Sequence, residues 1–319
     1  MRPIRDMWFI QIEVTNACNM SCANCTRFVG HHKKPFFMEL PMIEKAIDSL
    51  EGYKGCIGIM GGEPTMHPDF LGICQIVQKK IPEYKRGLWT SGFKWKEYEP
   101  IIRKTFGERV VYNDHSVGNQ VHQPLLVAIN DCIEDKNFMW GLINKCWVQR
   151  RWSASITPRG GFFCEVAAAM NMLFEDEEGY PIENRWWNKT SKQFKDQIKK
   201  YCPNCGAALP MLAVSNKGPK DMVSITNYRR LEAIRSPKFL KGDIEIFDKK
   251  MTRENIKMVM KNWKPWEYLG EDGQRSKERL YCSINSRAVK AFRYSLIRHI
   301  RQRCGDVKRK ISRWLQRHK

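Results

Sequence analysis

Three closely spaced cysteines are the residues of this sequence best suited to chemistry. Cys18, Cys22 and Cys25 lie in VTNACNMSCANCTRF with the spacing C-x3-C-x2-C. Thiolates are soft ligands that suit Fe–S clusters and zinc. Three of them on a four-iron cube leave one iron without a protein ligand, whereas a purely structural cluster takes four cysteines. That gap suits a substrate or a cofactor. A second set lies downstream: Cys146, Cys164 in RGGFFCEV, and Cys202 and Cys205 in YCPNCGAA. Four thiolates drawn from a hairpin and a C-x2-C knuckle can make a tetrahedral zinc site or hold a 4Fe–4S cluster.

The elements that must position these residues are strands alternating with helices. MWFIQIEV (Met7 to Val14) reads as the first strand, GCIGIM (Gly55 to Met60) as the second, RGLWTSG as the third and RVVYND as the fourth. Helices are predicted around Pro41 to Leu50, over Pro68 to Lys80 and at YEPIIRKTF, and a fifth strand at Leu125 to Ile129. Such alternation implies a parallel sheet with chemistry at the carboxyl ends of its strands. Beyond about Trp140 the rhythm changes. RWSASITPRGGFFCEV reads as a hairpin turning at Gly160 and Gly161, and after Leu209 the chain is polar and punctuated except for a helix after Thr252.

The first cysteine motif and the segment MGGEPTMHP after the second strand, with Gly61, Gly62, Glu63 and Pro64, together resemble the radical S-adenosylmethionine (radical SAM) superfamily. The resemblance covers roughly the first 130 residues and implies a 4Fe–4S cluster on Cys18, Cys22 and Cys25. It further implies that S-adenosylmethionine chelates the open iron, while the glycine-rich segment meets its methionine ammonium. Glycines let backbone approach a ligand closely, and Glu63 could pair with an ammonium. The family's aromatic residue before the third cysteine is Asn24 here, with Phe28 as a substitute for contacting adenine. Ser91, at the end of strand three, and Asn113, the ribose candidate at the end of strand four, are cofactor-binding candidates by the same resemblance. Asp114 and His115 are acid–base candidates, since histidine titrates near neutrality. The distal cysteines resemble the twitch domain, the shortened relative of the SPASM extension, which binds an auxiliary 4Fe–4S cluster. The expected architecture is α/β: a shortened partial parallel (β/α) barrel over 1–139, a twitch-like domain over 140–215, and a polar extension over 216–319 carrying a basic helical tail.

The full chain has 12 cysteines, no signal-peptide pattern and no apolar stretch of transmembrane length. A cytoplasmic location is expected, with reduced thiols serving as ligands or core residues. Cys56 and Cys74 read as small core residues. The net charge of +21 favours an anionic partner, but from Ala291 onward ten Lys/Arg face the single acid Asp306. In that tail Ile300, Ile311 and Trp314 fall on one face of a basic amphipathic helix near 293–317, a stripe suited to peripheral contact with an anionic inner-membrane surface or to packing on the protein's own body. No recognition module for specific nucleic acid accompanies the charge.

The resemblance implies reductive cleavage of S-adenosylmethionine to a 5′-deoxyadenosyl radical, with a flavodoxin- or ferredoxin-type electron donor. An auxiliary cluster held by four cysteines has no open iron, so it can move electrons but cannot chelate substrate. Oxidation of a carbohydrate or cyclitol ranks first, ahead of epimerisation and of SPASM-type peptide modification. A zinc-dependent nucleic-acid-binding protein is the alternative of another class.

Overall fold

The computed structural model describes residues 1–113, 121–261 and 263. Strands and helices alternate through β1 (Phe9–Thr15), α1 (Leu40–Asp48), β2 (Cys56–Gly61), α2 (Phe70–Lys80), β3 (Arg86–Thr90), α3 (Trp95–Phe106) and β4 (Val110–Tyr112). There follow β5 (Val121–His122), α4 (Ile129–Cys132), α5 (Lys136–Ile143), α6 (Trp147–Arg151), β6 (Ser153–Thr157), β7 (Gly160–Phe162), α7 (Glu165–Phe174) and α8 (Lys195–Tyr201). The remaining elements are β8 (Val214–Ser215), β9 (Asp221–Val223), α9 (Ile225–Ala233), α10 (Pro237–Leu240), β10 (Ile244–Ile246) and α11 (Arg253–Met260). Among the described residues no helix is long and apolar enough to cross a membrane.

The main sheet has the order β4-β3-β2-β1-β6-β7. Its first five strands are parallel, and β7 returns antiparallel along β6. This is the mixed α/β, mostly parallel sheet of a partial barrel. One face carries Ile10, Ile12, Val14, Ile57, Ile59 and Leu88, all buried against α1, α2 and α3. Each such side chain contributes about 1.5–3 kcal/mol on burial. The opposite face is unlike a core: β1 presents Gln11 and Glu13 there, between the apolar positions, and β6 presents Ser153 and Ser155. Gln11, Met60 of β2, Trp89 of β3 and Val111 of β4 all line one cavity of about 160 Å³. Four adjacent strands reach so small a space only where the sheet curves around it, as in a barrel lumen.

Three expectations change. Leu125–Ile129 is not a strand. Its side chains are buried, but its carbonyls accept from elsewhere: Gly206 N–H donates to Leu125 O (2.9 Å), and Ser224 N–H (3.2 Å) and Asn227 Nδ2 (2.9 Å) donate to Leu126 O. The hairpin of β6 and β7 continues the barrel sheet, because β6 pairs with β1 from Phe9↔Ser153 to Ile12↔Ile156. The polar stretch beyond 216 is built into the molecule through buried polar groups, with Asp221, Ser224, Asn227, Ser236 and Lys238 all at 3% exposure or less. The helix expected after Thr252 is α11, and Thr252 and Asn255 form its reciprocal capping box. Asp114, His115, the Cys282 and Cys304 thiols and the basic stripe near 293–317 lie outside the described residues.

Candidate active site

Cys18, Cys22 and Cys25 sit on the loop that leaves the carboxyl end of β1, and all three line one cavity of about 110 Å³. Gly61, Gly62, Ser91 and Asn113, from the ends of β2, β3 and β4, line it as well. Every strand of the first four therefore delivers its terminal residues to the thiols. Burial pushes the Cys18 thiol up to about 12 and the Cys22 thiol up to about 11. As free groups they are protonated at neutral pH, and a metal is what stabilises their thiolate form.

The glycines of the GGEP segment are also required by packing within the chain. Gly61 has φ +152, and a Cβ there would lie 1.9 Å from the carbonyl oxygen of Thr15; at Gly62 it would lie 2.3 Å from that of Ala17. Gly62 N–H donates to Thr15 O (2.8 Å) and Glu63 N–H to Ala17 O (2.7 Å). The pair thus holds the backbone leading into Cys18 against the end of β2. Glu63 and Pro64 are buried and do not line the thiol cavity. Glu63 Oε1 accepts from Thr65 N–H (3.0 Å), Thr65 Oγ1 (2.7 Å) and Thr90 Oγ1 (2.7 Å), and its Oε2 accepts from Ser91 N–H (2.6 Å) and Ser91 Oγ (2.7 Å). Its carboxylate joins the ends of β2 and β3 instead of standing free for an ammonium. Asn24 has φ 52, a left-handed conformation that Asn tolerates, and faces β9: its N–H donates to Asp221 Oδ1 (2.6 Å), and its own Oδ1 accepts from Met222 N–H (3.0 Å). Phe28 is 2% exposed and belongs to the core, so it does not replace the missing aromatic contact.

The lumen cavity adjoins the thiol cavity. Thr26, Arg27, Met60, Trp89, Asn113 and His122 line both. Arg27 is held between two carboxylates: Nη1 to Glu13 Oε1 is 2.9 Å and Nη2 to Glu165 Oε1 is 3.0 Å. Ser155 Oγ donates to Glu13 (2.9 Å) and Ser153 Oγ to Glu165 (2.6 Å). Burial pushes the Glu13 carboxyl above its usual range against the pull of Arg27. Gln11 is fully buried in the lumen wall, and neither its Nε2 nor its Oε1 has a hydrogen-bond partner within the described residues; the same holds for Trp89 Nε1 and Trp147 Nε1. Gly58 leaves room for the Trp89 ring, since a Cβ there would meet it at 2.3 Å. None of Gln11, Glu13, Arg27 or Glu165 was singled out by motif. Their signal is in β1 itself: FIQIEVT places Gln and Glu at alternate positions of a strand otherwise apolar or β-branched.

The second set also converges. Cys146, Cys164, Cys202 and Cys205 line one small cavity with Ile143, Phe163 and Met170. Cys146 caps the N-terminus of α6 and Cys164 that of α7. Amide groups at such ends favour a negatively charged sulfur, and Ala207 N–H donates to Cys205 Sγ (3.3 Å). Burial raises all four thiols above the ordinary range, Cys164 and Cys202 well above it. Among the described residues no three His, Cys, Asp or Glu side chains converge on a single metal ion. The chain steps directly from this cavity into the lumen at Cys146–Trp147 and Cys164–Glu165.

Residues 12–112 match the Radical SAM superfamily. GTP 3',8-cyclase of Photorhabdus laumondii is 28% identical over 104 residues, 29% of this chain and 31% of that protein. The Pasteurella multocida GTP 3',8-cyclase is 27% identical over 105 residues, again 29% and 31%. The match thus spans about a third of the curated relatives' length. Among solved structures, BtrN in complex with AdoMet and 2-DOIA aligns with TM-score 0.40 and 18% identity, covering 62% of this chain and 92% of that one. With its cysteine triad and GGEP segment inside the matched residues, the chain carries a radical SAM domain over residues 12–112, a family that implies a 4Fe–4S cluster and S-adenosylmethionine.

Proposed function

We propose that this enzyme oxidises a small uncharged carbohydrate or cyclitol by hydrogen abstraction in the lumen, with a second 4Fe–4S cluster on Cys146, Cys164, Cys202 and Cys205. When bound, the first cluster and S-adenosylmethionine supply a 5′-deoxyadenosyl radical that takes a hydrogen atom from a substrate carbon, and the second cluster supplies a one-electron acceptor. The observation that carries the reading is the lumen's position between the two thiol cavities: it shares six lining residues with the first and meets the second at Val166. The four distal thiols line one cavity, the number of ligands that closes every iron of a four-iron cube.

The lumen's own residues support the substrate class. Gln11 offers one acceptor and one donor group, and Trp89 and Trp147 offer indole N–H donors, to a ligand rich in hydroxyl groups. Trp89 and Trp152 pack edge-to-face around Phe9 at 5.3 and 5.2 Å, making an apolar wall for the ring of such a ligand. Among the described lining residues Arg27 is the sole Lys or Arg, and Glu13 and Glu165 already neutralise it. A triphosphate would bring charge there that none of these residues compensates. After the hydrogen atom and one electron have left, oxidation also requires a base for the hydroxyl proton; Asp114 and His115 keep that role as proposals.

The test is anaerobic turnover with S-adenosylmethionine and a strong reductant. 5′-Deoxyadenosine should form, and a Cys18/Cys22/Cys25→Ala variant should form none. Deuterated cyclitols and neutral sugars should pass deuterium into 5′-deoxyadenosine and yield a carbonyl product, whereas deuterated GTP run beside them should not. Deuterium transfer from GTP alone would overturn the substrate class.

A further inference from the structure

We propose that the polar segment beyond 216 completes the first cysteine site, with Asp221 and Lys238 as positioning residues that hold the Cys22–Cys25 loop in its ligating shape. The proposal rests on the radical SAM reading of that loop. The loop is short, carries the left-handed Asn24, and has no strand or helix of its own between Thr15 and Val29. Its backbone groups must find partners elsewhere: three find them in this segment and a fourth finds one on β5. Ala23 N–H donates to Asn216 O (3.0 Å), and Asn24 N–H to Asp221 Oδ1 (2.6 Å). Lys238 Nζ donates to Cys22 O (3.1 Å), and His122 Nδ1 lies 2.8 Å from Ala23 O. Met222 N–H closes the contact from the other side on Asn24 Oδ1 (3.0 Å).

The anchors themselves are fixed. Asp221 Oδ1 also accepts from Lys238 Nζ (2.7 Å), its Oδ2 lies 2.7 Å from His31 Nε2, and His31 Nδ1 lies 2.9 Å from Ser236 Oγ. Asp221, His31, Lys238 and Ser236 are each 3% exposed or less. A carboxylate, an ammonium and an imidazole buried together are costly unless each is paired, and here each is. Asp221 is 196 residues from Cys25 in sequence yet fixes the residue next to it. The GGEP glycines hold the loop's entry at Thr15 and Ala17; the 216–238 segment holds its far half.

The experiment compares full-length wild type, Asp221→Ala, Asp221→Asn and Lys238→Met. In metal-free protein, site-resolved alkylation by iodoacetamide reads the loop directly. Cys22 and Cys25 should label about tenfold faster in Asp221→Ala and in Lys238→Met, the factor that about 1.4 kcal/mol of lost local stability gives. Cys146, Cys164 and Cys205 should label at the wild-type rate. After anaerobic reconstitution, the change that S-adenosylmethionine makes in the electron paramagnetic resonance signal of the reduced first cluster should be weakened or lost, with Asp221→Asn intermediate. If Asp221→Ala does not fold, Lys238→Met carries the test, because it keeps the Asp221–His31 pair. Unchanged labelling of Cys22 and Cys25 in the folded variants would overturn the proposal. Wild-type protein that takes up no iron while the labelling difference persists would instead overturn the cluster reading and leave the clasp standing.

Discussion

Gln11 and Glu63 are both buried polar groups on the barrel's inner side, and their opposite states of satisfaction give them opposite roles. Glu63 accepts five hydrogen bonds and is a structural pin. Glu63→Ala leaves Thr65, Thr90 and Ser91 with orphaned donors, and each buried orphan costs about 1–3 kcal/mol. A stability loss of about 3 kcal/mol or more is expected in denaturant titration, and Glu63→Gln should lose less because its carbonyl oxygen still accepts. A variant that kept full stability and lost only affinity for S-adenosylmethionine would instead make Glu63 an ammonium partner. Gln11 satisfies neither of its groups within the described residues. Replacing it with Leu, of similar size, removes two unsatisfied groups and should raise the stability of substrate-free protein by about 1–3 kcal/mol. Substrate-dependent turnover should fall while 5′-deoxyadenosine formation without substrate persists. A destabilised Gln11→Leu would show that the side chain is held by the fold and not reserved for a ligand.

At the scale of elements, legibility followed apolar pattern. The strands and helices of the first 112 residues stand in the sequence as apolar runs bounded by Gly and Pro, and they fold where the pattern puts them. So do the cysteine loop and the hairpin. What the pattern hides is partnership at a distance. Leu125–Ile129 has a strand's composition, but its carbonyls are taken by Gly206, Ser224 and Asn227. The 216–252 segment is tied down by buried Asp, Lys, Ser and Asn, residue types that read as loop in any single sequence. The turn at Val29–His31, which links the cysteine loop to α10, carries a titratable case. Burial pushes the neighbouring His32 ring down to about 4. The folded chain keeps it neutral, whereas the unfolded chain protonates it near 6.5. Its contribution is therefore complete above about 6.5 and is lost as pH falls toward 4, by up to about 1.4 kcal/mol per pH unit and less for a partly exposed ring. Unfolding midpoints measured from pH 7 to 4 should fall less steeply for His32→Gln than for wild type; equal slopes would show that His32 protonates without cost.

At the scale of the molecule, the two thiol sites differ most in how they meet solvent. Cys18, Cys22 and Cys25 are all partly exposed on a loop, whereas Cys146, Cys164 and Cys205 are buried in the main apolar core, and Cys202 alone of the second set is partly exposed. The first site has to stay open, because a small molecule must reach its fourth corner. The second has no such need, and its cysteines cap α6 and α7 where those helices pack on β6. A chelator therefore reaches iron at the first site through local motion of the loop, but at the second only through opening of packed helices, and such openings differ in free energy by several kcal/mol within one protein. On the two-cluster proposal, loaded protein with about eight irons should release iron to an anaerobic chelator in two phases of about equal amplitude. The fast phase should vanish in the Cys18/Cys22/Cys25→Ala variant, and the slow phase in Cys202→Ala/Cys205→Ala. Helical circular dichroism should hold through the fast phase and decline only in the slow one, since the second set alone lies in the core. A single phase of about four irons, abolished by the first variant and untouched by the second, would mean that the distal cysteines hold no cluster and that the electron leaves the substrate by another route.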